Sequence, residues 1–457
     1  MIRIAHFSDL HYGTKSLVEA DRCFGAAIDR ATALGVEAAV LSGDATDHAL
    51  DLHAPAAERL VAQVRRLADH CPVLMLQGTF THEPPGTLAI FRLLRGRRAV
   101  HVADRIEQVA LTATGEWTSS TGWCFDDVPT GARALFCCVP TVNKAVVAAT
   151  AGATEAAQAV GEHLALLLRG YAPSNRAARL NGVPTIGVSH GTVFGCISEH
   201  GVPMSGFDHE FTTGALFGAE AQAFMLGHIH RHQSWAVEGA AGRQCIAYPG
   251  SIGRFHYGEE GEKGFLLWEV DADQARFTLE PTPARRTVDI VFEGKPDLDA
   301  LRTAVAQQDI TGAFVRVRWT VADEDRHEVD RAAIDRLLAG AAETKLEGRI
   351  VPVVRTRAAG ISQLANLADK VRAWAQVAEA RAEPLLECLQ TLSSQGPDTI
   401  AERVLRVLDV PDREADIERV ATLLPAMADL EPALLLRPFR ARPGDGLADL
   451  LSCGRLD

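Results

Sequence analysis

Five short segments hold the residues best suited to chemistry. They are Ser8-Asp9-Leu10-His11, Ser42-Gly43-Asp44, Gly78-Thr79-Phe80-Thr81-His82-Glu83, Ser189-His190-Gly191 and Gly227-His228-Ile229-His230. Each follows an apolar run that reads as a β-strand. Mixed imidazole and carboxylate donors suit Mn, Fe or Zn better than Mg or Ca. Asp9 and His11, two apart at a strand end, can point at one place, and the Asp44 carboxylate can bridge two cations. Gly43 beside it permits close backbone approach. Two such ions, about 3.5–4 Å apart, clamp a phosphoryl group and activate water. One segment alone has a plain structural reading: an Asp after a strand is often a helix N-cap. Five in this order, all at strand ends, point to a metal centre.

The elements that must position them alternate. Ile2 to Phe7 reads as a strand, Val18 to Leu34 as a helix and Val36 to Leu41 as a strand. Ala54 to Ala68 is helical and Pro72 to Leu76 extended, with further strands at Ala134 to Val139, Thr185 to Ser189 and Ala223 to Leu226. This order predicts an α/β layer fold with a largely buried sheet, whose ligands bind at the carboxyl ends of the strands. Short strands with Gly-rich turns between Gln244 and Leu279 read as the end of a sandwich.

The composition changes near Pro281-Thr282-Pro283. Strands at Thr287 to Phe292, Phe314 to Trp319 and Arg349 to Val354, with helices at Leu298 to Gln307 and Val329 to Leu338, form a small β-α-β-α-β module. From Ile361 the spacing is helical, with Ile361, Leu364, Leu367, Ala368, Val371, Trp374 and Ala378 on one face. Ser393-Ser394-Gln395-Gly396-Pro397 breaks the pattern. The expected organisation is thus a helix-flanked sandwich over 1–282, a small α/β domain over 283–358 and a helical region with a tail over 359–457.

Bulk composition fits a globular chain: 457 residues, 47% hydrophobic and 23% charged. No apolar run is long enough to span a bilayer, and Met1-Ile2-Arg3-Ile4-Ala5-His6 has no signal-peptide architecture. A cytoplasmic location without membrane contact is expected. None of the nine cysteines forms a C-x-x-C pair, which argues against a zinc ribbon or disulfide scaffold. A net charge of −13 weighs mildly against a nucleic-acid partner, since phosphate contacts dominate that affinity. Bound cations would change the local sign.

The order D-x-H, G-D, G-(N)-H-(D/E), H, G-H-x-H resembles the calcineurin-like metallophosphoesterase superfamily, and within it the SbcD-type DNA repair exonuclease subunits. The likeness covers roughly the first 355 residues. It includes Val139-Pro140-Thr141-Val142-Asn143-Lys144, Gly201-Val202-Pro203-Met204, Tyr248-Pro249-Gly250-Ser251 and the module from Arg286 to Thr356, which resembles a DNA-capping domain. It implies a metallophosphoesterase β-sandwich. By this resemblance Asp9, His11 and His230 bind one Mn²⁺, His190 and His228 a second, and Asp44 bridges them; Fe or Zn could take their place. His82 matches a non-ligand histidine that helps stabilise the transition state or protonates the leaving oxygen. Asp47 matches a position that contacts DNA phosphate, and Asn143 and Lys144 are a donor pair able to meet the DNA backbone.

The implied activity is two-metal hydrolysis of DNA phosphodiesters, chiefly as exonuclease and secondarily as endonuclease, in double-strand-break processing. The implied partner is an SMC-like SbcC-type ATPase, held by the C-terminal helices (361–392), with a homodimer inside a heterotetramer near the nucleoid. This chain has no Walker A sequence. Thr81 stands where the family has the Asn that ligates the second metal, in a loop two residues longer, so that site is expected to be weaker, or to be completed by water, or by Thr79 if the loop curls. The alternatives are a small-molecule phosphodiesterase or phosphatase, and a non-catalytic scaffold. Arg95, Arg97 and Arg98, and Arg437, Arg440 and Arg442, are basic clusters that read first as a solvated helix end and as a tail.

Overall fold

Runs such as Ala38–Leu41 and Val73–Leu76 are apolar at every position because both of their faces are covered. They lie in the first of two large sheets, in a computed structural model that describes residues 1–51, 53–94, 96–141, 156–204, 210–239, 242–351 and 360–408. For 156–160 and 407–408 it describes the backbone alone.

The first sheet joins β1 (Ile2–Phe7), β2 (Ala38–Leu41), β3 (Val73–Leu76) and β4 (Val100–Ala103) in parallel. On its far side β14 (Gly264–Val270) runs antiparallel to β1, and β15 (Ala275–Pro281) antiparallel to β14. The second sheet has a parallel centre of β7 (Ala132–Val139), β8 (Thr185–His190), β11 (Ala223–Gly227) and β13 (Gly242–Tyr248). Its edges are antiparallel: β5 (Glu107–Thr112) and β6 (Trp117–Ser119) on one side, β12 (Gln233–Gly239) on the other; β9 (Thr192–Val193) and β10 (Glu210–Phe211) pair in parallel outside both sheets, just before the short helix α4 (Thr213–Phe217).

The two-residue period of a strand sorts the side chains into layers. Ile2, Ile4, Val40 and Leu74 of the first sheet meet Phe136, Cys138, Val188 and Met225 of the second in one buried core. Their neighbours turn outward. Phe7, Leu41 and Met75 pack with Phe24, Ile28 and Val64 from helices α1 (Leu17–Ala33) and α2 (Pro55–Ala68). Val139, Phe224 and Tyr248 pack with Leu164, Leu168 and Tyr171 of α3 (Ala156–Leu180). Cys137 and Cys138 therefore face opposite layers, both buried. The expected sandwich of sheets flanked by helices is what forms.

A third sheet, all parallel, joins β16 (Thr287–Glu293), β17 (Phe314–Ala322) and β18 (Glu343–Val351), with α5 (Leu298–Gln308) and α6 (Arg331–Leu337). It has its own core of Val288, Ile290, Val315, Val317, Leu301 and Ile334. Residues Met1–Val351 form one compact unit that includes this sheet, and Pro352–Asp457 form the other. The expected boundary at 282/283 thus lies inside the first unit, between β15 and β16; that at 358/359 falls outside the described residues.

Some expectations need correction. The strand expected at Arg349 to Val354 is instead Glu343–Val351, and its charged, exposed side chains hid the alternation. The 25-residue α3 was not foreseen, because Gly170 and Pro173 break its pattern and helix packing on the sheet overrides them. β4, β5 and β6 were also missed. The helical spacing expected from Ile361 onward becomes an α-helix only at Leu367: Asn366 caps α7 (Leu367–Val377) by accepting from the Asp369 N–H. After it come α8 (Ala382–Ser394) and α9 (Pro397–Leu408), parted at the expected Gln395-Gly396 break. No described helix is long and apolar enough to cross a membrane.

Phe136 is fully buried between the sheets, with its ring 5.4 Å from that of Trp117. Phe136→Ala is expected to lower unfolding free energy by about 3–5 kcal/mol in a denaturant titration.

Candidate metal centre

The parallel strands of both sheets end on one side. Asp9 and His11 follow β1, Asp44 follows β2, Thr79 and His82 follow β3, His190 closes β8, and His228 and His230 follow β11. The backbone there is strained. Asp9 (φ 51°), His11 (φ 47°), Asp44 (φ 51°) and His228 (φ 101°) all occupy the region that L side chains rarely adopt, at a cost of about 1–3 kcal/mol each. Glycines let the segments close in. A Cβ on Gly78 would sit 2.3 Å from the Asp44 N and Oδ1 atoms, and one on Gly227 2.3 Å from the Ser42 carbonyl oxygen.

Two groups of donors result. In the first, the Nε2 atoms of His11 and His230 lie 2.9 Å apart, with Asp9 Oδ1 4.0 and 3.9 Å away. In the second, His190 Nε2 lies 3.2 Å from Asp44 Oδ2, and the His228 ring sits edge-on to that of His190. Asp44 also groups with His11 and His82, so it stands between the two sets. Donors held about 2.0–2.2 Å from one ion are separated by such distances. The donor chemistry fits as well: burial lowers His11 to about 4 and holds His230 well below the usual imidazole range, which keeps ring nitrogens free to ligate.

Surrounding groups fix the orientations. The Ser42 carbonyl accepts from His190 Nδ1–H at 2.8 Å, leaving Nε2 to face Asp44. The His228 N–H donates to both oxygens of Asp9, at 3.1 Å. Burial raises Asp9 to about 6. Burial would also raise Asp44, but the charge and hydrogen bond of His190 outweigh it and hold that carboxyl below the usual range. Burial would lower His190, yet Asp44 raises it to about 9. The place between these two side chains is one that holds positive charge. Glu83, fully buried, accepts from the Gly78 N–H at 2.7 Å and from the Ala45 N–H, tying the ends of β2 and β3 together.

His82 is half-buried, edge-on to His11 at 4.9 Å between ring centres. Its Nδ1–H donates to the Asp47 carbonyl at 2.6 Å. Asp47 thus holds His82 through its backbone, while its half-exposed carboxylate lies 3.8 Å from His11 Nδ1. The Thr81 expectation needs correction: Thr81 is exposed, and it is the Thr79 hydroxyl that lies within the second group, 3.2 Å from Asp44 Oδ2 and 3.1 Å from His190 Nε2. Asn143 and Lys144, like Arg95 and the tail arginines Arg437, Arg440 and Arg442, lie outside the described residues.

Glu83 and Ser42 were visible only as parts of motifs, without roles. Phe255 and His256 went unnoticed: Phe255 stands edge-on to His11, and His256 stacks on His230 with centres 6.1 Å apart. Only the grouping of His230, His256 and Glu259 in space reveals them. His232, two residues beyond His230, gives its Nδ1–H to the Tyr248 carbonyl at 2.7 Å.

No protein-family model matches this chain, and no curated protein matches it in sequence. Among solved structures, a dimetal phosphatase from Danio rerio is similar at a TM-score of 0.35 and 11% identity, over 61% of this chain and 98% of that one.

Because Asp44 stands between both donor groups, Asp44→Ala is expected to weaken both cations, whereas His230→Ala weakens one. Metal analysis after equilibrium dialysis against Mn²⁺ would show fewer than one ion per chain for the first variant and about one for the second, against about two for the unaltered chain.

Proposed function

We propose that this chain is a metal-dependent phosphodiesterase that cleaves DNA, the nuclease subunit of an assembly driven by an SMC-like ATPase. The observation that carries the phosphodiesterase reading is the pair of donor groups meeting at Asp44 with His82 beside them. Two divalent cations there would supply Lewis acidity to a phosphoryl oxygen and a lowered pKa to a water. Imidazole with carboxylate donors favours Mn²⁺, with Fe or Zn as competitors.

Asp9, His11 and His230 would hold one ion, His190 and His228 the other, and Asp44 both. His82 would present Nε2 to the substrate, since Nδ1 is committed to the Asp47 carbonyl. Nε2 is then the nitrogen that would pass a proton to the leaving oxygen. The Asp47 carboxylate would steer the substrate beside it.

The DNA reading is supported by the resemblance of the motifs and by a cleft of about 890 Å³ within the first unit. Its wall includes Phe255 and His256, which touch the rings of His11 and His230. It continues along Tyr257, Arg316, Arg318 and Lys345 of the small sheet and its neighbour loop. Glu260, Asp289 and Glu343 line it too, and Asp289 pairs with both Arg316 and Arg318, so the wall is mixed in charge rather than basic. The ATPase reading is supported by helices α7 and α8, where Leu367, Val377 and Leu392 are exposed; a helical partner would cover them. The function would be carried out inside the cell, near the nucleoid, by a homodimer.

The test is a Mn²⁺-supplemented assay on labelled linear duplex and single-stranded DNA and on a nitrophenyl phosphodiester. The expected outcome is DNA cleavage that falls about 10²–10⁴-fold in His82→Ala, with bound metal unchanged. Hydrolysis of the small phosphodiester with DNA left intact, even with the ATPase added, would reject the nuclease and retain the phosphodiesterase.

A further inference from the structure

The loop after β3 curls so that Thr79, rather than Thr81, turns inward. The Thr79 carbonyl accepts from the N–H groups of His82 (3.0 Å) and Glu83 (2.7 Å), closing a turn over Phe80 and Thr81. The Thr79 N–H donates to Asp44 Oδ1 at 2.7 Å. Glu83 beneath the turn draws Gly78 toward Ala45. Thr79 is thereby pulled in, and Thr81 is turned out to solvent.

Three polar atoms then form a nearly equilateral triangle. Thr79 Oγ1 is 3.2 Å from Asp44 Oδ2 and 3.1 Å from His190 Nε2, which are 3.2 Å from each other. The Nδ1–H of His190 is already given to the Ser42 carbonyl. With Nδ1 so committed, a ligating His190 presents a lone pair at Nε2, Asp44 presents lone pairs at Oδ2, and the Thr79 hydroxyl oxygen presents another. All three can face one cation at once. The centre of such a triangle is about 1.8 Å from each corner, so an ion about 1 Å off its plane lies about 2.1 Å from all three, a normal first-row metal bond.

We propose that the Thr79 hydroxyl is a direct ligand of the second cation, completing the set of Asp44, His190 and His228. This rests on the metal-centre reading above and deepens it. A neutral hydroxyl is a weaker donor than imidazole or carboxylate, so the second ion is the more loosely held of the two and the one whose occupancy follows the supply of metal.

The experiment is a Mn²⁺ titration of the full chain, with free ion read by EPR. The unaltered chain is expected to bind one ion tightly and a second more weakly. Thr79→Val, which keeps the shape and removes the oxygen, is expected to weaken the second site at least tenfold and leave the first within about twofold. Thr79→Ser should stay close to the unaltered chain. Thr79→Asn, which brings in an amide oxygen, should tighten the second site, a gain that misfolding cannot imitate. Thr81→Val should change nothing. An unchanged second site in Thr79→Val, or an equal loss in Thr81→Val, overturns the ligand assignment while leaving the metal centre standing. Absence of bound Mn²⁺ in the unaltered chain overturns both.

Discussion

The structure is organised around an electrostatic conflict. Asp9, Asp44, His11 and His190 are almost wholly buried and stand within a few ångströms of one another. Burying acceptors together without compensating positive charge is unfavourable. The chain adds to that cost by holding Asp9, His11, Asp44 and His228 at positive φ. Strain persists only where the surroundings over-determine it. Here they do so through the Gly78 and Gly227 close approaches, the Glu83 tie between two strand ends and the Ser42 carbonyl on His190. Cations at these donors would remove the conflict.

Two sheets rather than one supply the donors. β1, β2 and β3 bring Asp9, His11, Asp44, Thr79 and His82 from the first; β8 and β11 bring His190, His228 and His230 from the second. The core between them, from Ile4 and Val40 on one side to Phe136 and Val188 on the other, fixes their spacing. A close-packed interior moves little in response to small forces, so distances at the strand ends inherit its rigidity. The small sheet is attached by a different chemistry. The Arg285 guanidinium lies 3.4 Å over the Phe314 ring, and Tyr257 stacks on Phe314. Both contacts sit beside the loop that carries Phe255 and His256 to the donor groups.

Much of this was legible in the sequence because its signals are local. A strand covered on both faces must be apolar throughout, so β1, β2 and β3 announced themselves within a residue or two. The residue types after them announced a donor set. Where the signal was not local, it was missed. α3 is interrupted by Gly170 and Pro173 and forms because Leu164, Leu168 and Tyr171 have a sheet to cover. β18 is a strand because β17 pairs with it, although most of its side chains are exposed.

The sequence by itself determined which residue types were available as donors, their order, and that strands would precede them, since strand periodicity and donor chemistry are properties of short segments. Only the tertiary structure decided which threonine of the β3 loop turns inward. That choice depends on Glu83 reaching Gly78 and Ala45, and on Thr79 meeting Asp44 and His190, which lie 35 and 111 positions away along the chain. Contacts between segments so far apart exist only once both sheets have packed.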